Sequence, residues 1–174
     1  MKTIDTKITK LLCDLIETPS LSRNEEDAAI VMRKFLKKEK IPFEIRANNT
    51  WAKNKHFNFL KPTILLNSHI DTVKPVSGWT KEPYKAIFES DKLYGLGVND
   101  AGAALVCLLG TFLHFYEQED LNYNFIFAAT AEEEISGKNG IELISDIVNS
   151  CSLAIVGEPT EMELAVAEKG LMVV

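Results

Sequence analysis

Residues 63–72, Thr-Ile-Leu-Leu-Asn-Ser-His-Ile-Asp-Thr, constrain the fold more than any other stretch of the chain. The apolar run Ile64 to Leu66 predicts a strand covered on both faces, which is typical of a parallel or mixed sheet. His69 and Asp71 follow two residues apart, so an extended backbone places both side chains on the same side. A carboxylate beside an imidazole fixes its tautomer and raises its basicity, which suits a metal ligand. Because His-x-Asp is common, a purely structural interpretation of this motif alone stays open.

The remaining periodicity alternates between helices and strands. Apolar residues at helical spacing predict helices over 5–17, 22–41, 101–117 and 139–148, and residues 22–25, Ser-Arg-Asn-Glu, fit a capping box. Short apolar or alternating runs predict hairpins over 43–53 and 86–94 and single strands over 63–66, 124–130, 153–156, 162–167 and 171–174. This alternation predicts an α/β fold, a mixed and mostly parallel sheet flanked by helices.

Composition and charge narrow the class of protein. A chain of 174 residues with 46% hydrophobic residues is the size of one domain with a substantial core. The net charge is −6 and no basic cluster interleaves with aromatic residues, so we expect no nucleic-acid partner. The uncharged stretch 101–116 is shorter than the roughly 20 residues of a membrane span, so we predict a core helix and no membrane association.

The cysteines and the N-terminus predict a cytoplasmic protein. Cys13, Cys107 and Cys151 are odd in number, widely spaced and surrounded by apolar residues, which favours free thiols in the core of a protein from a reducing compartment. The N-terminal residues already carry an acid and begin an amphipathic pattern, unlike a signal peptide. His56 lies in a polar run and His114 in the apolar helix, so we expect neither to be a ligand.

Three further stretches place acids where a strand or a glycine-rich turn ends. Gly95-Leu-Gly-Val-Asn-Asp100 fits neither nucleotide-binding motif, and its glycines leave Asp100 at a helix N-terminus. Residues 132–134, three glutamates, follow an apolar strand, and Glu158 follows another. Adjacent acids repel one another and attract a cation, although they also fit a solvated turn before a helix.

These places converge on one interpretation. Sites in open α/β sheets form at the carboxyl ends of strands, so the separate ligand-type residues can meet at one rim. One imidazole with several carboxylates suits zinc, cobalt or manganese better than a thiolate site does. There are more acids than one tetrahedral ion needs, which favours two ions about 3.5–4 Å apart.

At these residues the chain resembles the acetylornithine deacetylase and succinyl-diaminopimelate desuccinylase family of co-catalytic zinc hydrolases. The resemblance covers essentially the whole chain. Its motifs are His69-Ile-Asp-Thr-Val, Gly95-Leu-Gly-Val-Asn-Asp100, Thr130-Ala-Glu-Glu-Glu134 and Gly157-Glu-Pro-Thr160. The last motif, followed by Ala167-Glu-Lys-Gly170, is most similar to the acetylornithine deacetylase branch, some of which accepts acetylcitrulline.

The resemblance implies a ligand set for two zinc ions. Asp100 would bridge the ions, His69 and Glu158 would complete one of them, and Glu134 would bind the other. The peptide after Asp100 matches one that is often cis in this family. In this family the bridging aspartate is usually followed by a larger residue, then lysine and glycine, whereas here Ala101-Gly102 follows directly, a change that we expect the site to survive.

The resemblance also implies the reaction. Glu133 would be the general acid and base, and Asp71 would support the histidine from behind. The expected substrate is a small N-acyl amino acid, N-acetylornithine or N-acetylcitrulline. Rival hypotheses are a dipeptidase, aminopeptidase or desuccinylase of the same family, and a non-catalytic α/β binding module.

The family pattern implies more protein than these residues. We expect residues 1–174 to be the N-terminal portion of the catalytic domain, with the lid domain and a C-terminal segment carrying the second zinc histidine outside it. By resemblance the full-length protein would be a homodimer through the lid, and the fragment alone would be inactive.

Overall fold

The computed structural model describes residues 2–165, and within them a five-stranded sheet forms the centre of the fold. The strands are β1 (Glu44–Arg46), β2 (Asn49–Lys53), β3 (Thr63–His69), β4 (Ile87–Glu89), β5 (Lys92–Tyr94), β6 (Asn124–Thr130) and β7 (Leu153–Val156). The helices are α1 (Lys2–Ile16), α2 (Glu26–Lys38), α3 (Ala103–Phe115) and the single turn α4 (Ser145–Val148). The strand order is β1-β2-β6-β3-β7, and β4 pairs with β5 in a separate hairpin.

The central sheet is mixed, and most of its strands point the same way. β3 is parallel to β6 on one side and to β7 on the other. β2 is antiparallel to β6 and β1 is antiparallel to β2, so β1 runs in the direction of β3, β6 and β7. The predicted fold class is confirmed. The carboxyl ends of β3, β6 and β7 lie side by side at one edge.

Both faces of the sheet are covered near its centre. On one face, Leu66 and Phe127 pack in the same cluster as buried residues of α1, α2 and α3. On the other face, Leu65 and Ile126 pack with Trp51, Ala128 and Ile144. This two-sided burial explains why the sequence of β3 reads as a continuous apolar run.

Helix α3 is the apolar stretch that sequence analysis assigned to the core. Val98–Phe115 is long and apolar enough to cross a membrane by length and composition. The backbone of this stretch is non-helical at Asp100 and Ala101. The regular helix α3, which follows, has only 13 residues. Such a helix is shorter than the roughly 20 residues of a span. Buried residues of α3, including Leu109 and Phe112, pack in the core instead.

Several local predictions are wrong. Helix α2 begins at Glu26 and its cap has no side-chain hydrogen bond, because the Ser22 hydroxyl binds Asp71 instead of capping the helix. The predicted helix over 139–148 is two short turns, Ile141–Ile144 and α4. Residues 162–165 are not a strand. The predicted strand 171–174 and residues 166–167 lie outside the described part of the chain.

The cysteines are free, but they do not all lie in the core. Cys13 and Cys151 are partly buried, whereas Cys107 is exposed on α3. The apolar neighbours of Cys107 in sequence lie on the inward face of that helix, so sequence context alone misplaces the thiol.

Candidate metal centre

The imidazole of His69 lies at the carboxyl end of β3 and is almost fully buried. Its Nδ1 is 3.0 Å from the backbone carbonyl oxygen of Asp71 and 3.5 Å from the Asp71 carboxylate oxygen Oδ1. Carbonyl and carboxylate oxygens only accept, so Nδ1 carries the proton and donates it toward Asp71. The tautomer leaves Nε2 free as a ligand atom.

The carboxylate of Asp71 is also buried and is held by three donors besides His69. The Ser22 hydroxyl donates to Oδ2 at 2.6 Å, and the backbone N–H groups of Glu133 and Glu134 donate at 3.0 and 3.3 Å. Burial raises the pKa of Asp71, but the hydrogen bonds from His69 and Ser22 outweigh it, so the pKa lies below its ordinary value. Asp71 therefore links β3 to the acidic turn after β6.

Carboxylates surround the Nε2 atom of His69. It lies 3.1 Å from Asp100 Oδ1, 3.8 Å from Glu133 Oε2 and 3.8 Å from Glu158 Oε2. Ligand atoms of His69, Asp100 and Glu134 all lie within 4.8 Å of one another. Within residues 2–165, no lysine or arginine forms an ion pair with these carboxylates.

This concentration of negative charge changes the basicity of His69. Burial lowers the pKa of the imidazole, but hydrogen bonding and attraction to Asp71 and Glu158 outweigh burial and raise the pKa to about 11. Without an ion, the site therefore holds a proton on its histidine. A metal ion would replace that proton and neutralise the carboxylates, so the donor set fits a metal.

A tight turn delivers Asp100 to the cluster. Gly97 has φ +75°, and a Cβ there would lie 2.6 Å from the Thr72 side chain. The N–H of Gly102 closes the turn by donating to the Gly97 carbonyl at 2.8 Å. The Asp100–Ala101 peptide is cis, which matches the expectation from the family resemblance.

Glu158 reaches the same place from β7. The N–H of Gly157 donates to the Asn67 carbonyl at 2.8 Å, and the Ser68 hydroxyl donates to the Gly157 carbonyl at 2.8 Å. A Cβ on Gly157 would lie 2.8–2.9 Å from Leu108 and Ala104, so only glycine lets α3 approach this closely. The four separate stretches identified from sequence do meet at one rim.

Comparison with known proteins agrees with this geometry. Residues 65–169 match the family described as peptidase family M20/M25/M40. The chain belongs to this family. It is 29% identical over 170 residues to a probable succinyl-diaminopimelate desuccinylase of Staphylococcus aureus, an alignment that covers 94% of this chain and 42% of that protein.

Two more relatives define the fold and the extent of the match. An acetylornithine deacetylase of Salmonella agona is 29% identical over 182 aligned residues, covering 98% of this chain and 47% of that protein. The structure of the Bacillus subtilis YXEP protein, a dinuclear metal-binding M20 peptidase, superposes with a TM-score of 0.68 at 20% identity, covering 90% of this chain and 43% of that one. The chain thus spans less than half the length of each of these three proteins and shares the fold of the Bacillus subtilis structure.

The three adjacent glutamates of this M20 chain have different surroundings. Glu133 and Glu134 lie at the cluster, and burial is the main reason that the pKa of each is raised. Nearby carboxylates raise both pKa values further, whereas His69 lowers them. Glu132 is buried, and its carboxylate accepts hydrogen bonds from Asn139 instead.

Glu132 and Ser22 are supporting residues that the sequence motifs do not predict. Gly137, Asn139 and Gly140, closely spaced after the acids, were the available signal for a tight loop around Glu132. Nothing near Ser22 in sequence indicates its contact with Asp71, which lies 49 residues away.

The other histidines lie outside the cluster. His56 is 3.8 Å from Glu119 at the surface. His114 packs edge-on against Phe115, with ring centroids 4.8 Å apart.

A cavity of about 380 Å³ adjoins the cluster and has room for a small substrate. His69, Glu133 and Glu158 form the side nearest the cluster. Among the described residues its lining contains no lysine or arginine. The rest of the wall contains both polar and apolar residues: Asn67, Thr130, Ala131, Glu132, Ser136, Gly137, Ile141, Glu142 and Val156.

Proposed function

We propose that the full-length protein is a metal-dependent amidohydrolase that removes the acyl group from an N-acyl amino acid, with N-acetylornithine or N-acetylcitrulline as substrate. The observation that carries this proposal is the buried imidazole of His69, which faces the carboxylates of Asp100, Glu133 and Glu158 without a lysine or arginine partner in residues 2–165. Membership of a peptidase family supports hydrolysis of an amide bond.

Two divalent ions fit the donor set, as in the dinuclear Bacillus subtilis relative. His69, Asp100 and Glu158 would hold one ion, and Glu134 would hold the other with Asp100 shared between them. When bound, ions such as zinc, cobalt or manganese would polarise the acyl carbonyl and acidify a water molecule. We infer that the rest of the full-length protein supplies a further histidine for the second ion.

Glu133 is the residue placed to move protons. Its carboxylate is half exposed and lies 3.8 Å from His69 Nε2, next to the cavity. It would take a proton from the attacking water as oxygen adds to the acyl carbon, and would give that proton to the nitrogen as the carbon–nitrogen bond breaks. The products are the free carboxylate and the free amine.

The cavity favours a neutral acyl group. Glu142 lies in its wall and no described lysine or arginine does, so a succinyl carboxylate would meet repulsion. The acetylornithine deacetylase relative supports the same choice, whereas the equally similar desuccinylase relative supports the rival desuccinylation. The rival activities are desuccinylation and dipeptide hydrolysis. We also propose that the protein works in the cytoplasm as a homodimer, in keeping with its free cysteines and the family resemblance.

The test measures amine release by the natural full-length protein loaded with zinc. N-acetylornithine, N-acetylcitrulline, N-succinyl-diaminopimelate and a dipeptide serve as substrates. We expect the acetylated substrates to be turned over fastest. Faster succinyl or dipeptide turnover would reject the substrate assignment and retain the hydrolase.

The variant Glu133→Gln tests the proton-transfer role. It keeps the shape of the side chain but removes the base, so we expect kcat to fall by about 10²- to 10⁴-fold. Bound zinc, measured by elemental analysis, should be unchanged. The exposed Glu119→Gln is the matched control and should keep full activity. A metal-loaded Glu133→Gln protein that is still active would rule out this role.

A further inference from the structure

The loop over residues 131–140 carries Glu133 and Glu134, and it is built around the carboxylate of Glu132. We infer that Glu132 is a positioning residue, which holds this loop so that the next two glutamates face the metal centre. The inference rests on the proposed function, because it concerns how the same site is kept in place.

Both carboxylate oxygens of Glu132 accept hydrogen bonds from within the loop. The side chain is 5% exposed. Its Oε1 accepts a hydrogen bond from the Asn139 side-chain amide at 2.8 Å, and its Oε2 accepts one from the Asn139 backbone N–H at 3.2 Å. Its backbone carbonyl accepts from the Gly137 N–H at 2.9 Å. Hydrogen bonds to an ionised acceptor are among the stronger ones in proteins.

The loop backbone is strained at two residues and packs too closely around this carboxylate to allow side chains at its glycines. Glu132 and Ser136 have φ of +52° and +47°, conformations that non-glycine residues rarely adopt. A Cβ on Gly137 would overlap the Glu132 carboxylate, and a Cβ on Gly140 would overlap the Ala131 carbonyl. The loop therefore needs an interaction that holds it in this form, and the two bonds to Asn139 provide it.

A second contact fixes both ends of the loop to the sheet. Asn49, at the start of β2, is fully buried. Its side-chain oxygen accepts from the Ala131 N–H at 3.0 Å, and its side-chain amide donates to the Asn139 carbonyl at 2.7 Å. Asn139 thus connects Glu132 to β2.

The held loop orients the two glutamates that follow Glu132. With the loop held, the N–H groups of Glu133 and Glu134 meet the Asp71 carboxylate, and their side chains lie by His69 and Asp100. Glu132 also lines the cavity beside the cluster, but both of its carboxylate oxygens are engaged by Asn139, so its effect on the site is exerted through the loop.

The experiment exchanges the two hydrogen-bonding groups. In Glu132→Gln the amide accepts from one Asn139 donor and turns its own N–H groups toward the other, so the loop must shift. In Asn139→Asp two carboxylates face each other. We expect each single variant of the full-length protein to lower kcat about 10- to 100-fold with KM changed little, as misplacement of catalytic groups does.

The double variant Glu132→Gln/Asn139→Asp should restore the geometry. The side-chain carbonyl of the introduced glutamine can accept from the backbone N–H of residue 139, as the Glu132 carboxylate does, while its amide donates to the introduced carboxylate, so both bonds return and only the bond between the side chains is reversed. We expect kcat to recover to within about threefold of wild type, an interaction that a double-mutant cycle measures directly. The exposed Lys138→Ala, in the same loop, is the control and should leave kcat unchanged.

Retention of zinc during dialysis against a chelator is the second readout. The single variants should lose the ion that Glu134 holds faster than wild type does, and the double variant should retain it. This readout tests the inference even if the wild-type protein hydrolyses no acyl amino acid. The inference would be overturned if both single variants kept the kcat and the zinc retention of wild type. It would also be overturned if the double variant had no higher kcat or zinc retention than Glu132→Gln. If Glu132→Gln does not fold, Asn139→Asp and the double variant carry the same comparison.

Discussion

Strands β3 and β7 are neighbours in one sheet, run parallel and end in residues of the same site, yet their surroundings differ. Leu66 of β3 and Ile155 of β7 are paired in register, but Leu66 is 1% exposed and Ile155 is 46% exposed. All four residues of β7 are exposed, whereas six of the seven residues of β3 are buried. Both sequences read as buried strands, so the apolar pattern does not distinguish them.

The difference divides the candidate metal centre into two halves. His69 and Asp71 extend from a strand that has neighbours on both sides and a packed face of helices. Glu158 extends from a strand that, within residues 2–165, is paired on one side only. We therefore expect the His69 half to be rigid and strongly coupled to folding. The Glu158 half has fewer contacts among the described residues to hold it.

Truncation of the paired residues tests this contrast first, with the largest expected effect. Leu66→Ala should lower the free energy of unfolding by about 2–5 kcal/mol, because it leaves a cavity in the core. Ile155→Ala should cost less than about 1 kcal/mol, because nearly half of that side chain already contacts solvent. Urea unfolding of the full-length protein measures both. Equal losses of unfolding free energy would show that β7 is covered in the full-length protein and would contradict the difference between the two strands.

Loss of a supporting hydrogen bond in each half gives a smaller effect. Asp71→Asn removes the carboxylate behind His69, and we expect zinc affinity to fall about 10- to 100-fold, as is typical of such partners. Ser68→Ala removes the donor to the Gly157 carbonyl, next to Glu158. It should lower zinc affinity by about threefold or less, because a hydrogen bond between neutral groups is weaker. Competition with a chromophoric chelator measures both affinities. An equal loss in Ser68→Ala would show that the two halves are equally supported.

The sequence predicts the fold class and the meeting of four stretches because both follow from local pattern. Apolar strands that end at His69 or shortly before Glu133 and Glu158 must place these residues near one another once the strands pair in parallel. The two hairpins follow from alternation and turn residues in the same way.

What the sequence does not predict depends on distant neighbours. Ser22 has the sequence of a helix cap, but a buried carboxylate from β3 is the stronger hydrogen-bond partner. The three adjacent glutamates look equivalent, and only the loop around Glu132 separates one from the other two. Among the described residues, none from β7 belongs to either apolar cluster, and which elements cover a strand is a relation between distant residues that local pattern does not reveal.

The pH dependence of stability tests the buried His69 imidazole and the carboxylates beside it. In chelator-treated protein, the pKa of His69 is raised to about 11, so its contribution is complete below the ordinary histidine value of about 6.5 and is lost as pH rises toward 11. The pKa of Asp71 is lowered, so its contribution is complete above about pH 4 and is lost as pH falls further. The stability difference between wild type and Asp71→Asn should therefore be greatest between about pH 4 and 6.5 and decline on both sides. Urea unfolding at acidic, intermediate and alkaline pH measures it, with Glu119→Gln as the exposed control. A difference that is the same at all three values would show that the His69–Asp71 pair does not titrate as a coupled unit.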